Sequence, residues 1–107
     1  MRRTGQTVRI DQYMIDVLMR DLVGHDRHPA AYLVYLWLYG QAAPSKWRAV
    51  PASVRFLADA TGLSKSAVQN ALKLLRRRQL IKSENKDGAR TMRKHRVLRS
   101  WSGRKAP

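Results

Sequence analysis

The stretch VPASVRFLADATGLSKSAVQNALKLLRRRQLI, residues 50–81, decides the fold, because its apolar spacing describes two short helices that meet at a glycine. Ser53 offers a side-chain oxygen to the unpaired N–H groups opening a first helix, and Val54, Leu57 and Ala58 supply its buried side. Ala58 is small where a second helix must cross closely; a larger side chain there would push the two apart. Gly62 stands where the first helix has to stop, and glycine takes the left-handed conformation without a Cβ penalty. Leu63 plugs the turn. Ser64 then caps a second helix whose Val68, Ala71, Leu72 and Leu75 recur at helical intervals and share one side. The other side carries Ser66, Gln69, Asn70, Lys73 and Arg77, and no acidic residue lies between Ser64 and Arg78.

Beyond this pair, LIKSENKDGARTMRKHRVLRSW holds two strand-like runs, about Leu80 to Asn85 and Arg90 to Trp101, around an Asp87-Gly88 hairpin signal. The hairpin is the shape of a wing. Trp47 to Val50 predicts a short third strand, which Pro51 would end. In this order and spacing, LADATGLSKSAVQNALKLL, the following LI and the closing HRVLRSW resemble the winged helix-turn-helix family of bacterial DNA-binding regulators, including its MarR-like and GntR-like branches. The resemblance spans roughly residues 30 to 101. It departs from the family where members often have glycine before the LI pair and this chain has Gln79. It implies a mainly α fold with a small β-hairpin wing, and duplex DNA as partner. The same module also serves phage and plasmid replication proteins, and a few members bind protein or RNA.

Charge points the same way. The 107 residues carry a formal charge of +15, and residues 62–107 hold 14 basic and 2 acidic side chains against 8 and 5 in residues 1–61. The electropositive half therefore coincides with the second helix and the wing, where a polyanion would lie. One domain with a modest core fits this length. Residues 1–10 read as a flexible basic arm, 11–101 as the domain, and 102–107 as a disordered tail.

Two further helices are predicted upstream. Asp11 would cap one running from about Gln12 to Val23, with Met14, Ile15, Leu18 and Leu22 as its apolar stripe, Asp16 and Arg20 as an exposed i, i+4 pair, and Gly24 as its stop. Pro29 suits the first position of a helix over 29–42, in which Leu33, Leu36, Trp37 and Gly40 share one apolar side. Tyr32, Val34, Tyr35, Leu38 and Tyr39 leave that helix no polar side, so it must be covered from more than one direction. Either the upstream helix completes the monomer's core, or it forms a homodimer interface together with Tyr32, Tyr35 and Tyr39.

The chemical inventory predicts no enzyme and no cofactor. There is no cysteine, so disulfides and thiolate metal sites are excluded and a reducing cytoplasm fits. His25 and His28 sit close together without the further ligands zinc needs, and His95 is expected to pack at the base of the wing. No paired carboxylates, phosphate-binding loop or nucleophile elbow occurs. No signal peptide is visible, and the apolar run Ala30 to Gly40 is too short to span a membrane, which needs about 20 residues. A cytoplasmic, nucleoid-associated protein is expected.

The expected mode of binding follows from helix geometry. Residues 64–78 make a helix of about 20 Å at ~1.5 Å per residue, whose N-terminal half enters the major groove. Ser66, Gln69 and Asn70 would face base edges, the two amides matching adenine N6 and N7, while Lys73 suits guanine or a phosphate. Arg55, Ser64, Lys65, Arg76 and Arg77 flank that stripe and suit the DNA backbone. Lys86, Arg90, Arg93 and Lys94 surround the wing tip, in reach of a minor groove or phosphates. A transcriptional regulator is the first reading, a replication or recombination accessory of phage or plasmid type the second, and an RNA-binding basic protein the third. The last is disfavoured because an RNA reader more often shows paired surface aromatics for base stacking.

Overall fold

Helix α1 (Pro29–Ala42) is the element on which the rest is assembled. In the computed structural model, which describes residues 5–84 and 93–102, α1 meets the N-terminal helix, α2 (Val54–Thr61), α3 (Lys65–Arg77) and two of the three strands. That encirclement explains a helix with no polar side. Its buried residues are Ala31, Tyr32, Val34, Tyr35, Leu38, Tyr39 and Ala42. Leu33, expected on the main apolar side, is instead 45% exposed, and Leu36 and Trp37 are half-buried. The three tyrosines are the larger correction: they lie inside the monomer and cannot form a dimer surface. The Tyr32 hydroxyl donates to the Met14 carbonyl at 2.8 Å, Tyr35 donates to the Leu98 carbonyl at 2.8 Å, and Tyr39 accepts from the Asp11 amide at 3.2 Å. Burial raises the pKa of all three phenols, so the hydroxyls stay protonated.

The N-terminal helix covers residues 12–25 and is wound mostly with i→i+5 hydrogen bonds, over Met14–Leu18 and Arg20–His25. Residues four apart, Met14, Leu18 and Leu22, form its buried stripe. Ile15, expected among them, lies outside at 44% exposure, in register with exposed Met19 and Val23. Gly24 does not stop the helix, which continues through His25. Nor does Asp11 cap it. The Asp11 carboxylate is drawn off by partners far along the chain, accepting from Trp101 Nε1 at 2.8 Å and from Arg99 at 3.4 Å. Asp16 accepts from Gln12 at 3.2 Å, and no Asp16–Arg20 ion pair forms. Trp101, expected at the end of a strand, lies in a 3-10 turn (Ser100–Ser102) and stacks on Tyr13 with ring centroids 4.5 Å apart.

Strands β1 (Val50–Pro51), β2 (Ile81–Glu84) and β3 (Lys94–Val97) form an antiparallel sheet in the order β1-β3-β2. Pro51 belongs to β1 rather than ending it, opposite Lys94, because an edge strand tolerates the missing N–H. Lys46 and Trp47, both left-handed, turn the chain from α1 towards β1, so the strand starts later than Trp47. Trp47 is held there between the Tyr39 ring and the Arg99 guanidinium, the latter 3.7 Å from its ring centre. No helix among the described residues is long and apolar enough to cross a membrane.

Candidate nucleic-acid interface

The helix-turn-helix closes as its caps require. Ser53 Oγ accepts from the Phe56 amide at 3.0 Å and Ser64 Oγ from the Ala67 amide at 3.1 Å. Gly62 takes φ +80°, and its amide reaches the Ala58 carbonyl at 2.9 Å. Leu57 and Ala58 of α2 are buried with Val68, Ala71, Leu72, Leu74 and Leu75 of α3, while Leu63 is half-buried against the same core.

The far end of α3 closes without glycine. The Leu80 amide reaches back to the Leu75 carbonyl at 2.8 Å and the Gln79 amide to that of Arg76 at 3.0 Å, a Schellman ending with Gln79 at φ +58° in the position glycine usually takes. Arg78 anchors this end by ion pairs to Asp21 and Asp26 of the N-terminal helix region. The ligand atoms of Asp21, His25 and Asp26 lie within 4.8 Å of one another, but Arg78 engages both carboxylates, so the cluster reads as a clamp on α3. His28, the other histidine of that loop, caps α1 by accepting from the Ala31 amide.

With the apolar side committed inward, Ser64, Lys65, Ser66, Gln69, Asn70, Lys73 and Arg77 all lie exposed on α3, and Arg55 lies exposed on α2. Arg93 and Lys94 are exposed at the root of the wing. Lys86 and Arg90 lie outside the described residues, as does the Asp87-Gly88 turn. Arg76 differs from the rest. It is half-buried and donates to Ser83 Oγ of β2 at 3.4 Å, and burial, then the nearby Arg93 charge, lowers its pKa. Sequence reasoning missed Lys82 and Arg96, which face each other across β2 and β3 on the same side as Lys94; the strand alternation carried that signal.

His95 sits where these elements meet, 1% exposed. Its Nε2 lies 3.1 Å from the Ala52 carbonyl and its Nδ1 2.8 Å from Ser83 Oγ. A carbonyl only accepts, so Nε2 carries the proton and Nδ1 accepts from the Ser83 hydroxyl, which in turn accepts from Arg76. Desolvation lowers the His95 pKa from 6.5; the Ala52 bond opposes this, and Arg76 and Arg93 add to it. The ring is therefore neutral at pH 7, as a strut between β1, β2 and the Arg76 side chain of α3.

Two capped helices around a left-handed glycine, an exposed cation-rich second helix and a three-stranded sheet define a winged helix-turn-helix of the DNA-binding class. The MarR family model matches residues 36–90, just over half of the chain, and the chain belongs to the MarR family of DNA-binding transcriptional regulators. No curated protein and no solved structure matches it.

Proposed function

We infer that the protein binds double-stranded DNA sequence-specifically to regulate transcription on the nucleoid in the cytoplasm, with the N-terminal half of α3 in the major groove and the basic wing on the flanking backbone or minor groove. One observation carries this reading: α3 turns its whole hydrocarbon side inward and leaves Ser66, Gln69, Asn70 and Lys73 exposed on a helix without a carboxylate. The Gln69 and Asn70 amides read adenine edges. Ser64, Lys65, Arg55 and Arg77 hold phosphates beside them, and Arg93, Lys94, Lys86 and Arg90 do so from the wing. Arg76, tied to Ser83, acts as a fixed charge behind the groove-facing stripe.

The test begins with selection of bound sites from a random duplex pool. Asn70→Ala should then lose roughly 1 to 3 kcal/mol on the selected site and little on scrambled DNA. Arg93→Ala should weaken both alike. Equal loss on both duplexes for Asn70→Ala would place the specificity elsewhere.

A homodimer through the N-terminal helix and α1 completes this reading. Its support is the exposed stripe Ile15, Met19 and Val23, with Leu33 exposed on α1. A two-fold dimer would read half-sites about 34 Å apart, so the selected sequences should be palindromic.

A further inference from the structure

Phe56, in the first turn of α2, is 50% exposed, although the helix-turn-helix core is already filled by its neighbours Leu57 and Ala58. Its ring meets the half-buried Trp37 of α1 edge to face, at 5.6 Å between centroids and 71° between planes. The two rings form one wall of an open groove of about 520 Å³, which Gln41, Ser45, Arg48 and Pro51 complete.

The only charge among the residues lining this groove is the Arg48 cation; the carboxylate nearest along the chain is exposed Asp59, one turn beyond Phe56 on α2. No acidic residue occurs between Asp26 and Asp59, so all the chain that builds the groove lacks a carboxylate, while Arg48 lines it and Arg55 adjoins Phe56. The groove is also continuous with the wing. Pro51 on its rim pairs with Lys94, and the next amide, Ala52, donates to the Arg93 carbonyl at 3.0 Å. An aromatic wall beside a cationic rim is the arrangement that takes stacked, unpaired bases, because every base has a π-face and its phosphate meets the cations. A fully paired duplex offers no such face along its length.

We propose that the groove between the C-terminal half of α1, β1 and the start of α2 binds an unpaired base of the DNA strand whose backbone passes the wing root, stacking it on the exposed Phe56 ring with Trp37 against its edge and Arg48 beside it. This rests on the DNA-binding reading above, and it adds a preference for DNA with a single-stranded extension or an unpaired base over blunt duplex.

The experiment titrates the full chain, at one salt concentration, with a blunt duplex and with the same duplex bearing a three-thymidine extension at either end. The wild type should bind one of the extended duplexes about tenfold more tightly than the blunt one. Phe56→Ala should abolish that gain while leaving blunt-duplex affinity within about twofold, and Phe56→Tyr should keep it. Half-exposed Phe56 can be truncated without opening the core, and thermal melting of each variant checks this. An absent gain, or a gain that survives Phe56→Ala, overturns the groove assignment and turns attention to an acidic protein segment as occupant. If the wild type binds no duplex at all, the DNA-binding reading falls and this inference with it, an outcome distinct from tight blunt-duplex binding without a gain.

Discussion

The N-terminal helix and α3 are of similar length, and each buries one stripe against α1, yet what they leave outside differs. α3 exposes hydroxyls, amides and cations. The N-terminal helix exposes Ile15, Met19 and Val23 as an apolar stripe beside polar Gln12, Asp16 and Arg20. A solvated polar side facing a polyanion gains its energy from released counterions and base-edge hydrogen bonds, whereas exposed hydrocarbon gains only by meeting other hydrocarbon. The same packing rule thus produces two surfaces that select different kinds of partner, and only their outer sides tell them apart.

The largest expected effect breaks the comparison within one turn. Leu18 is 2% exposed and its neighbour Met19 39%, so Leu18→Ala should cost about 2 to 5 kcal/mol in urea unfolding and Met19→Ala less than about 0.5 kcal/mol in dilute solution. Equal costs would mean that the helix has no outer stripe. A charge exchange sharpens the contrast further. Lys73→Glu should lower duplex affinity about tenfold or more and reduce the log–log salt slope by about 0.9 without altering the sedimentation of the free protein. Met19→Glu should do the reverse, shifting sedimentation towards monomer while leaving the binding of a single half-site intact.

The C-terminal ends of α2 and α3 offer a smaller pair of changes. Gly62 and Gln79 are both left-handed, but only Gly62 is free of Cβ strain, and an added Cβ there would meet nothing within 4 Å. Gly62→Ala should therefore destabilise through backbone strain alone, by about 1 kcal/mol, and Gln79→Gly should stabilise by a similar or slightly smaller amount. Matching shifts in melting temperature of opposite sign are the expected result. The smallest effect is pH-dependent. Because the folded pKa of His95 lies below the unfolded value of 6.5, the unfolded chain binds the extra proton. The stabilisation is complete above pH 6.5 and is lost as the pH falls towards the folded value, with a slope of at most about 1.4 kcal/mol per pH unit. His95→Gln, though less stable overall, should lose that part of the slope in unfolding measured from pH 7.5 to 5.

What could be read from the sequence was what is decided locally. Ser53, Ser64 and Gly62 act within a few residues of themselves, and the α3 stripes follow from one helical period, so the helix-turn-helix and its exposed polar side were legible. Asp11 was not, because its cap is a local option overridden by the Trp101 indole and Arg99. The orientation of α1 was not either: a helix apolar on all sides carries no periodic signal, and its neighbours decide that Tyr35 goes in and Leu33 out. Ile15 was misplaced because i→i+5 winding puts more than four residues in each turn, so the Met14–Leu18–Leu22 stripe drifts away from Ile15, whereas the 3.6 period would carry it towards Ile15. The Trp37–Phe56 pair joins two helices 19 residues apart in sequence, and nothing in either helix announces the other.

The bond from Trp101 Nε1 to Asp11, with Tyr13 stacked on the same indole, spans 90 residues, and this sets a timetable for the newborn chain. The N-terminal helix leaves the ribosome before α3 and is held early by the Tyr32–Met14 bond, yet its start at Asp11 and Tyr13 cannot be fastened until the tryptophan has been made. At translation rates of roughly 5 to 20 residues per second, that is a wait on the order of ten seconds. For that interval Met14, Leu18 and Leu22 can rest on α1, but the strand-side latch is open. The helix-turn-helix, complete some twenty residues earlier, needs no such wait. The start of the helix that carries the apolar outer stripe is thus the last part to be locked, after the DNA-facing helix has already taken its shape.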